Sequence, residues 1–570
     1  MAEHADLVFV DGAVYTVDPA RPWAEAVAVR GGRIVWVGAE REVGDLVGPR
    51  TEVVGLRGGL LLPGFQDAHA HPLLGGAERL QCDLSGSQSA AEYRDLVAAY
   101  ARAHPERAWV LGGGWWMAAF PGGTPTRGEL DAVVPDRPVF LINRDHHGAW
   151  VNGRALELAG ITRDTPDPAD GRIERDAAGE PTGALHEGAM DPVRAAAPAT
   201  TEEELVKGLA EGQAHLHSLG ITAWQDAAVG TVFSGRDTFG VYVAAAERGD
   251  LTARVAGALW WERDGDEEQL GTLVERRARA RVGRFRAGTV KIMQDGVCED
   301  FTAAMLAPYL DGRGHQTEGR GISFIDPEAL RRYVTLLDRE GFQVHVHAIG
   351  DRAVREALDA FQAARAATGP AGPAGRADPT SPAGRAGRHH IAHIQVVHPE
   401  DVPRFQALGV TANAQPLWAC LEPQMTELTI PFLGPERTAR QYPFADLVRT
   451  GATLACGSDW PVSSPNPLWG MHVAVNRRAP AGYAGARAAA GGPFLPEQAV
   501  DLATAIAGYT IRAAYVNHLD GDTGSIEVGK LADLVVLDRN PFERPPSEIA
   551  QARALLTLVE GQKVHEAPGL

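Results

Sequence analysis

Residues 61–72 read LLPGFQDAHAHP, an apolar run that turns at Pro63-Gly64 and ends in an acid and two histidines one residue apart. Side chains alternate faces along a strand, so His69 and His71 are expected to point the same way. Two imidazoles side by side at a strand end make poor core packing and good ligands for a divalent metal. Two histidines do not complete a site, and the partners have to come from elsewhere in the chain.

Further apolar runs supply candidates. GITAWQDA (220–227), ARVAGALWW (253–261), GTVKIMQDG (288–296) and FQVHVHAIGD (342–351) alternate with longer helical patterns, as do HHIAHIQVV (389–397), GVTANAQP (409–416) and ATLACGSDWP (452–461). With the opening run these make eight βα units, the number a closed (β/α)8 TIM barrel needs. Residues from about 85 to 200 do not fit that count and read as an insertion after strand 1. Residues 1–60 and 521–570 are short β segments with Gly turns. They are expected to form the two parts of a small composite β-sandwich domain, the barrel occupying 61–520, although two separate β appendages fit the same pattern. Segments 367–388 and 477–492 are rich in Ala, Gly, Pro and Arg and read as loops.

The totals narrow the function. The chain has 570 residues, 45% of them hydrophobic and 22% charged, within the range of a globular protein with a large core. A net charge of −19 argues against nucleic acid or an anionic membrane as partner. No signal peptide and no membrane span is read in the sequence. The four cysteines are scattered without a CxxC pair, which fits reduced thiols and a cytoplasmic location. A small-molecule substrate is expected, and a homo-oligomer is compatible.

Barrel enzymes carry their chemistry at the C-terminal ends of the strands. On that criterion Lys291, His347, His393 and Asp459 join His69 and His71. Asp459 taken alone reads as a helix cap; beside four histidines it reads as a ligand that also moves a proton. Each strand histidine has a competitor on the same face, His345 for His347 and His389 for His393, and spacing alone does not choose. Lys291 as an ammonium would repel a metal, whereas a desolvated neutral amine can take up CO2 as an anionic carbamate.

These strings, with VHAIGDRA, IAHIQ, GSDWP and the C-terminal YTIRAAYVNHLDGDTGSIEVGKLADLVVLD, resemble the amidohydrolase superfamily. Within it they are similar to the amidohydrolase-3 (YtcJ-like) branch, which includes N-substituted formamide deformylases. The resemblance implies one or two divalent metals, commonly zinc. His69, His71, carbamylated Lys291 and Asp459 would hold the more buried one, His347 and His393 the second. It also selects His347 over His345. DHHGAWVNGRAL (145–156) resembles the branch's DGHAAWVN string, which implies that His147 faces substrate and that His146 replaces a glycine. The implied activity is hydrolysis of a linear amide C–N bond by metal-activated hydroxide, with Asp459 moving the proton and His147 a second donor to the oxyanion. A cyclic amidase, deaminase or esterase on the same site, or a non-catalytic metal-binding barrel, are the alternatives. Trp115 and Trp418, near the motif loops, are candidates for contact with an apolar substituent. Glu187, Asp226 and Asp295 are candidates to support the ligands from behind.

Overall fold

The computed structural model describes residues 4–232, 235–368, 387–483 and 492–568. Eight parallel strands form one sheet in chain order: β1 (Phe65–Ala70), β2 (Ile221–Val229), β3 (Arg254–Trp260), β4 (Phe285–Met293), β5 (Gln343–Ala348), β6 (His390–His393), β7 (Thr411–Ala414) and β8 (Leu454–Cys456). Every residue of β1, β2 and β5 to β8 is buried, as expected of strands covered on both faces. The first and last strands meet just beyond their ends. The Asp459 N–H donates to the His69 carbonyl and the His71 N–H to the Trp460 carbonyl, both at 2.7 Å. The sheet is therefore a barrel drawn together at the end that carries the motif residues.

Helices cover the outside. Pro327–Arg339 shows why they pack: Leu330, Tyr333, Val334 and Leu337 fall on one face and are buried, and Asp326 caps the N-terminus through the N–H groups of Glu328 and Ala329. Glu202–Ser218 begins with a capping box between Thr201 and Glu204.

The opening apolar run divides. Leu60–Pro63 pairs with Leu534–Leu537 in a different sheet, and the barrel strand starts at Phe65. Gly64 makes the hand-over, because a Cβ there would meet Thr222 Cγ2 at 2.4 Å. That other sheet has six strands and mixes both ends of the chain: Ala13–Tyr15, Trp23–Ala24 and Leu60–Pro63 with Leu534–Leu537, Ala554–Val559 and Gln562–Glu566. A four-stranded sheet (Leu7–Val10, Ala26–Arg30, Arg33–Gly38, Glu52–Gly55) lies with it, and Phe9, Val27, Leu61, Leu534 and Leu556 belong to one shared apolar cluster.

Between β1 and β2 the chain builds a six-stranded sheet of its own, from Cys82–Asp83 to Pro181–Glu187. Its strands Val139–Asn143 and Gly148–Val151 are antiparallel neighbours, and the turn between them carries Arg144 to His147. Residues 369–386 and 484–491, inside the two segments read as loops, lie outside the described residues. Cys82, Cys298, Cys420 and Cys456 are all buried and unpaired. Among the described residues no helix is long and apolar enough to cross a membrane.

Candidate metal centre and active-site cavity

Strand ends and tight turns bring the motif residues to one place. His69 is the penultimate residue of β1, and His71 follows directly as the cap of the next helix. Their Nε2 atoms lie 3.1 and 3.0 Å from the same Asp459 oxygen, Oδ1. Asp459 stands in the left-handed region at φ 57°, just past β8, which turns its carboxylate back over the barrel. Gly457 lets the chain through, since a Cβ there would meet the His69 nitrogen at 2.6 Å. Asp67 braces the seam from behind: its Oδ1 accepts from the His69 and Ser458 N–H groups, both at 3.0 Å. Burial pushes the Asp67 carboxyl up to about 7.

His393 and His347 face each other, with ring centroids 4.3 Å apart. The His347 Nε2 lies 3.3 Å from the Gly296 carbonyl and 3.6 Å from Asp295. Asp295 in turn accepts backbone N–H bonds from Ala304, Ile349 and Gly350, fixing the end of β5. Asp226 accepts from the Tyr242 hydroxyl and lines the cavity beyond His71. Lys291 projects from β4 into the barrel, 2% exposed, and burial lowers its amine to about 7. Burial, with Lys291 nearby, lowers His69 to about 3, so its imidazole is neutral at physiological pH.

The competing histidines separate cleanly. His345 stays below the cavity floor, while His347 lines the cavity. His389 was expected on the face of His393, and this is corrected: it packs on Phe361 and bonds Asp338, both on covering helices. Alternation fails because His393 and Ile394 leave strand geometry at φ 77° and 44°. That turn swings His393 into the cavity, where its ring lies flat against Trp418 at 5.2 Å.

The insertion supplies the opposite wall. His147 Nδ1 is 2.8 Å from Glu187 Oε1, and Glu187 also accepts from the Thr302 hydroxyl at 3.0 Å. Burial alone would lower His147; Glu187 outweighs it and raises the imidazole to about 9. His146 stands in the left-handed backbone region that glycine favours, φ 65°. Glu187 is likewise strained at φ 50°. Trp418 lines the cavity. Trp115 is not brought to it: its indole donates to the Leu141 carbonyl inside an apolar cluster of the insertion with Phe120 and Trp150.

The cavity measures about 720 Å³ and is lined by His69, His71, Lys291, His347, His393 and Asp459, with His147 opposite. Motif reading missed Arg144, Asp145, Glu299 and Glu422 on one flank, where Arg144 stacks 3.9 Å from the Trp116 ring. His69, His71 and Asp459 are close enough to share one ion, and the buried His393 Nδ1 has no hydrogen-bond partner. Two imidazoles and a carboxylate with such lone pairs turned inward form a donor set that fits a divalent metal.

The family model described as Amidohydrolase family matches residues 52–565. The chain is 30% identical over 573 residues to Protein LONG AFTER FAR-RED 3 of Arabidopsis thaliana, covering 98% of this chain and 92% of that one. It is 28% identical over 585 residues to N-substituted formamide deformylase of Arthrobacter pascens, covering all of both chains. An uncharacterized metal-dependent hydrolase from Pyrococcus furiosus matches in crystal structure with TM-score 0.68 at 25% identity, covering 94% of this chain and 100% of that one.

Proposed function

The chain belongs to the amidohydrolase family, hydrolases of carbon–nitrogen bonds, and from that premise we propose that its substrate is a linear amide, an N-substituted formamide or similar acyl amine. The observation that carries this reading is the facing of two groups across one cavity: the His69–His71–Asp459 cluster on the barrel, and the His147–Glu187 pair on the insertion. The full-length similarity to a formamide deformylase supports the amide.

His69, His71, Asp459 and carbamylated Lys291 would hold one divalent ion, zinc on this reading, and His347 with His393 a second. Bound there, such ions acidify water and polarise a carbonyl. The chain's own groups do the rest. Asp459 accepts the proton of the attacking water and returns it to the amide nitrogen as the C–N bond breaks, so the amine leaves neutral. His147, protonated below about pH 9, donates to the carbonyl oxygen as that oxygen becomes anionic. Glu187 holds the His147 ring and its charge. Phe140, Ile142, Met190 and Trp418 offer an apolar wall for the N-substituent. The same reading treats the two terminal sheets as one composite β-sandwich, supported by their shared apolar cluster, and places the protein in the cytoplasm, supported by its buried unpaired thiols.

The test is product analysis with metal-loaded enzyme on N-substituted formamides, longer acyl amines and cyclic amides. Formate or another acid in equal amount to a free amine is expected. Turnover confined to cyclic amides, or release of ammonia alone, overturns the linear-amide reading.

The His147–Glu187 pair has a pH signature of its own. As an acid, His147 works only while protonated, so kcat/KM is expected to fall as pH rises through about 9. Glu187→Gln removes the charge that raises His147, and the falling limb should move down by about one pH unit or more. A limb unmoved in Glu187→Gln would assign that titration to another group.

A further inference from the structure

Barrel interiors are ordinarily filled by branched apolar side chains. Here Gln225, Thr289, Gln343 and His345 occupy the inside below the cavity, each at most 3% exposed. Buried polar groups need partners, and the partners here fix a direction. The Gln343 Nε2 donates to the carbonyls of Arg388 and Val516, at 2.8 and 3.0 Å. Carbonyls only accept, so the orientation of that amide is settled from outside the barrel. Its Oε1 then receives the Thr289 hydroxyl at 2.5 Å and the Gln225 Nε2 at 3.4 Å. Gln225 must therefore turn its oxygen toward His345, whose Nδ1 lies 2.8 Å away.

An amide oxygen cannot donate, so the proton of neutral His345 sits on Nδ1 and its lone pair on Nε2. That lone pair faces His69 Nδ1 at 2.9 Å, with Lys291 Nζ 3.5 Å from the same atom. His69 must then carry its proton on Nδ1. Its Nε2 is left bare, 3.1 Å from the Asp459 oxygen that also faces His71 Nε2 at 3.0 Å.

We propose that Gln343, Gln225 and His345 are positioning residues, a hydrogen-bond relay that sets the His69 tautomer so that its Nε2 lone pair is presented to a divalent cation. The proposal rests on the metal reading of the centre given above. Without a proton between them, the His69 nitrogen and the Asp459 oxygen repel, and a cation at that point turns the repulsion into coordination. The relay thus directs one end of a polarised chain at the centre and anchors the other on the backbone carbonyls of Arg388 and Val516.

Neutron diffraction on zinc-soaked crystals of the unaltered protein reads the proton positions directly. Deuterium is expected on His345 Nδ1 and on His69 Nδ1. Zinc affinity, measured by chelator competition, gives the second readout: Gln225→Leu should bind zinc about 10- to 100-fold more weakly. Gln225→Glu, which restores an acceptor for His345, should recover about tenfold of that loss. A residue that only fills space would show no such rescue. Deuterium on His345 Nε2 in protein that binds zinc overturns the relay alone, as does unchanged zinc affinity in folded Gln225→Leu. Failure of the unaltered protein to bind any divalent ion overturns the metal reading itself. If neither variant folds, the neutron map decides.

Discussion

Asp459→Asn is expected to lower kcat by at least about a thousandfold with the fold intact. The asparagine keeps the shape of the side chain and an oxygen that can point at His69 and His71, so the seam between β1 and β8 loses little. What it cannot do is take a proton from water and hand it to the leaving nitrogen. The position is also a shared one: a single carboxylate oxygen lies 3.1 and 3.0 Å from two imidazole nitrogens, and any metal bound there loses an anionic ligand. His69→Ala makes the complementary case. It removes a neutral imidazole and the end of the relay below it, so bound metal and activity should vanish together. Steady-state kinetics paired with metal analysis by plasma emission separates the two variants. Asp459→Asn that retained metal and turned over near the wild-type rate would remove Asp459 from the proton path. Full turnover by metal-stripped protein would remove the metal from the mechanism.

The barrel was readable because its strands are short apolar runs, and those of β1, β4, β5, β6 and β8 end at or near a polar residue with a job. His69 and His347 are next to last in β1 and β5, His393 is the last residue of β6, and Asp459 stands three residues past β8, so position along the run carried the information. Where a residue's direction depended on strand geometry, reading failed at the points where that geometry breaks. His389 and His393 are an even number of residues apart and ought to share a face, but the left-handed backbone at His393 and Ile394 undoes the alternation. Leu61–Pro63 looked continuous with the barrel strand, yet Gly64 passes the chain from one sheet to another. Contacts made by folding across long separations left no local trace. Glu187 meets His147 only because Gly148–Val151 and Pro181–Glu187 pair antiparallel, Gly148 opposite His186. Gln225, in the middle of one apolar run, and Gln343, near the start of another, read as ordinary interruptions; a glutamine within each run was the one available signal. Trp115 shows the converse. An aromatic beside a motif is as useful to the insertion's own core as to a substrate, and here the core has it.

Lys291→Met is expected to cost at least about a hundredfold in kcat, although it removes a group that, as an ammonium, would oppose a metal. The reason lies in where β4 puts the side chain. Lys291 is 2% exposed inside the barrel, and burial brings its amine down to about 7 against a weaker opposing pull from Asp459. A large share of the amine is then neutral at physiological pH, with its lone pair free. That lone pair can attack dissolved CO2: the N–C bond forms, one C=O electron pair moves onto oxygen, and the nitrogen sheds a proton to solvent. The product is a carbamate, an anion on a tether that began as a cation, reaching the space that His69, His71, His347 and His393 face. Methionine fills the same volume and can do none of this. The proposed carbamate has its own readout in the unaltered protein. Metal-free enzyme reconstituted with zinc should regain activity faster in bicarbonate-containing buffer than in buffer purged of CO2, while Lys291→Met should show no response to bicarbonate. A crystal of the metal-loaded enzyme adds the direct view, with density for three further atoms expected beyond Nζ. Equal reconstitution in both buffers, with a free amine in that density, would leave Lys291 as a neutral lysine, and the charge balance of the centre would have to rest on Asp459 alone.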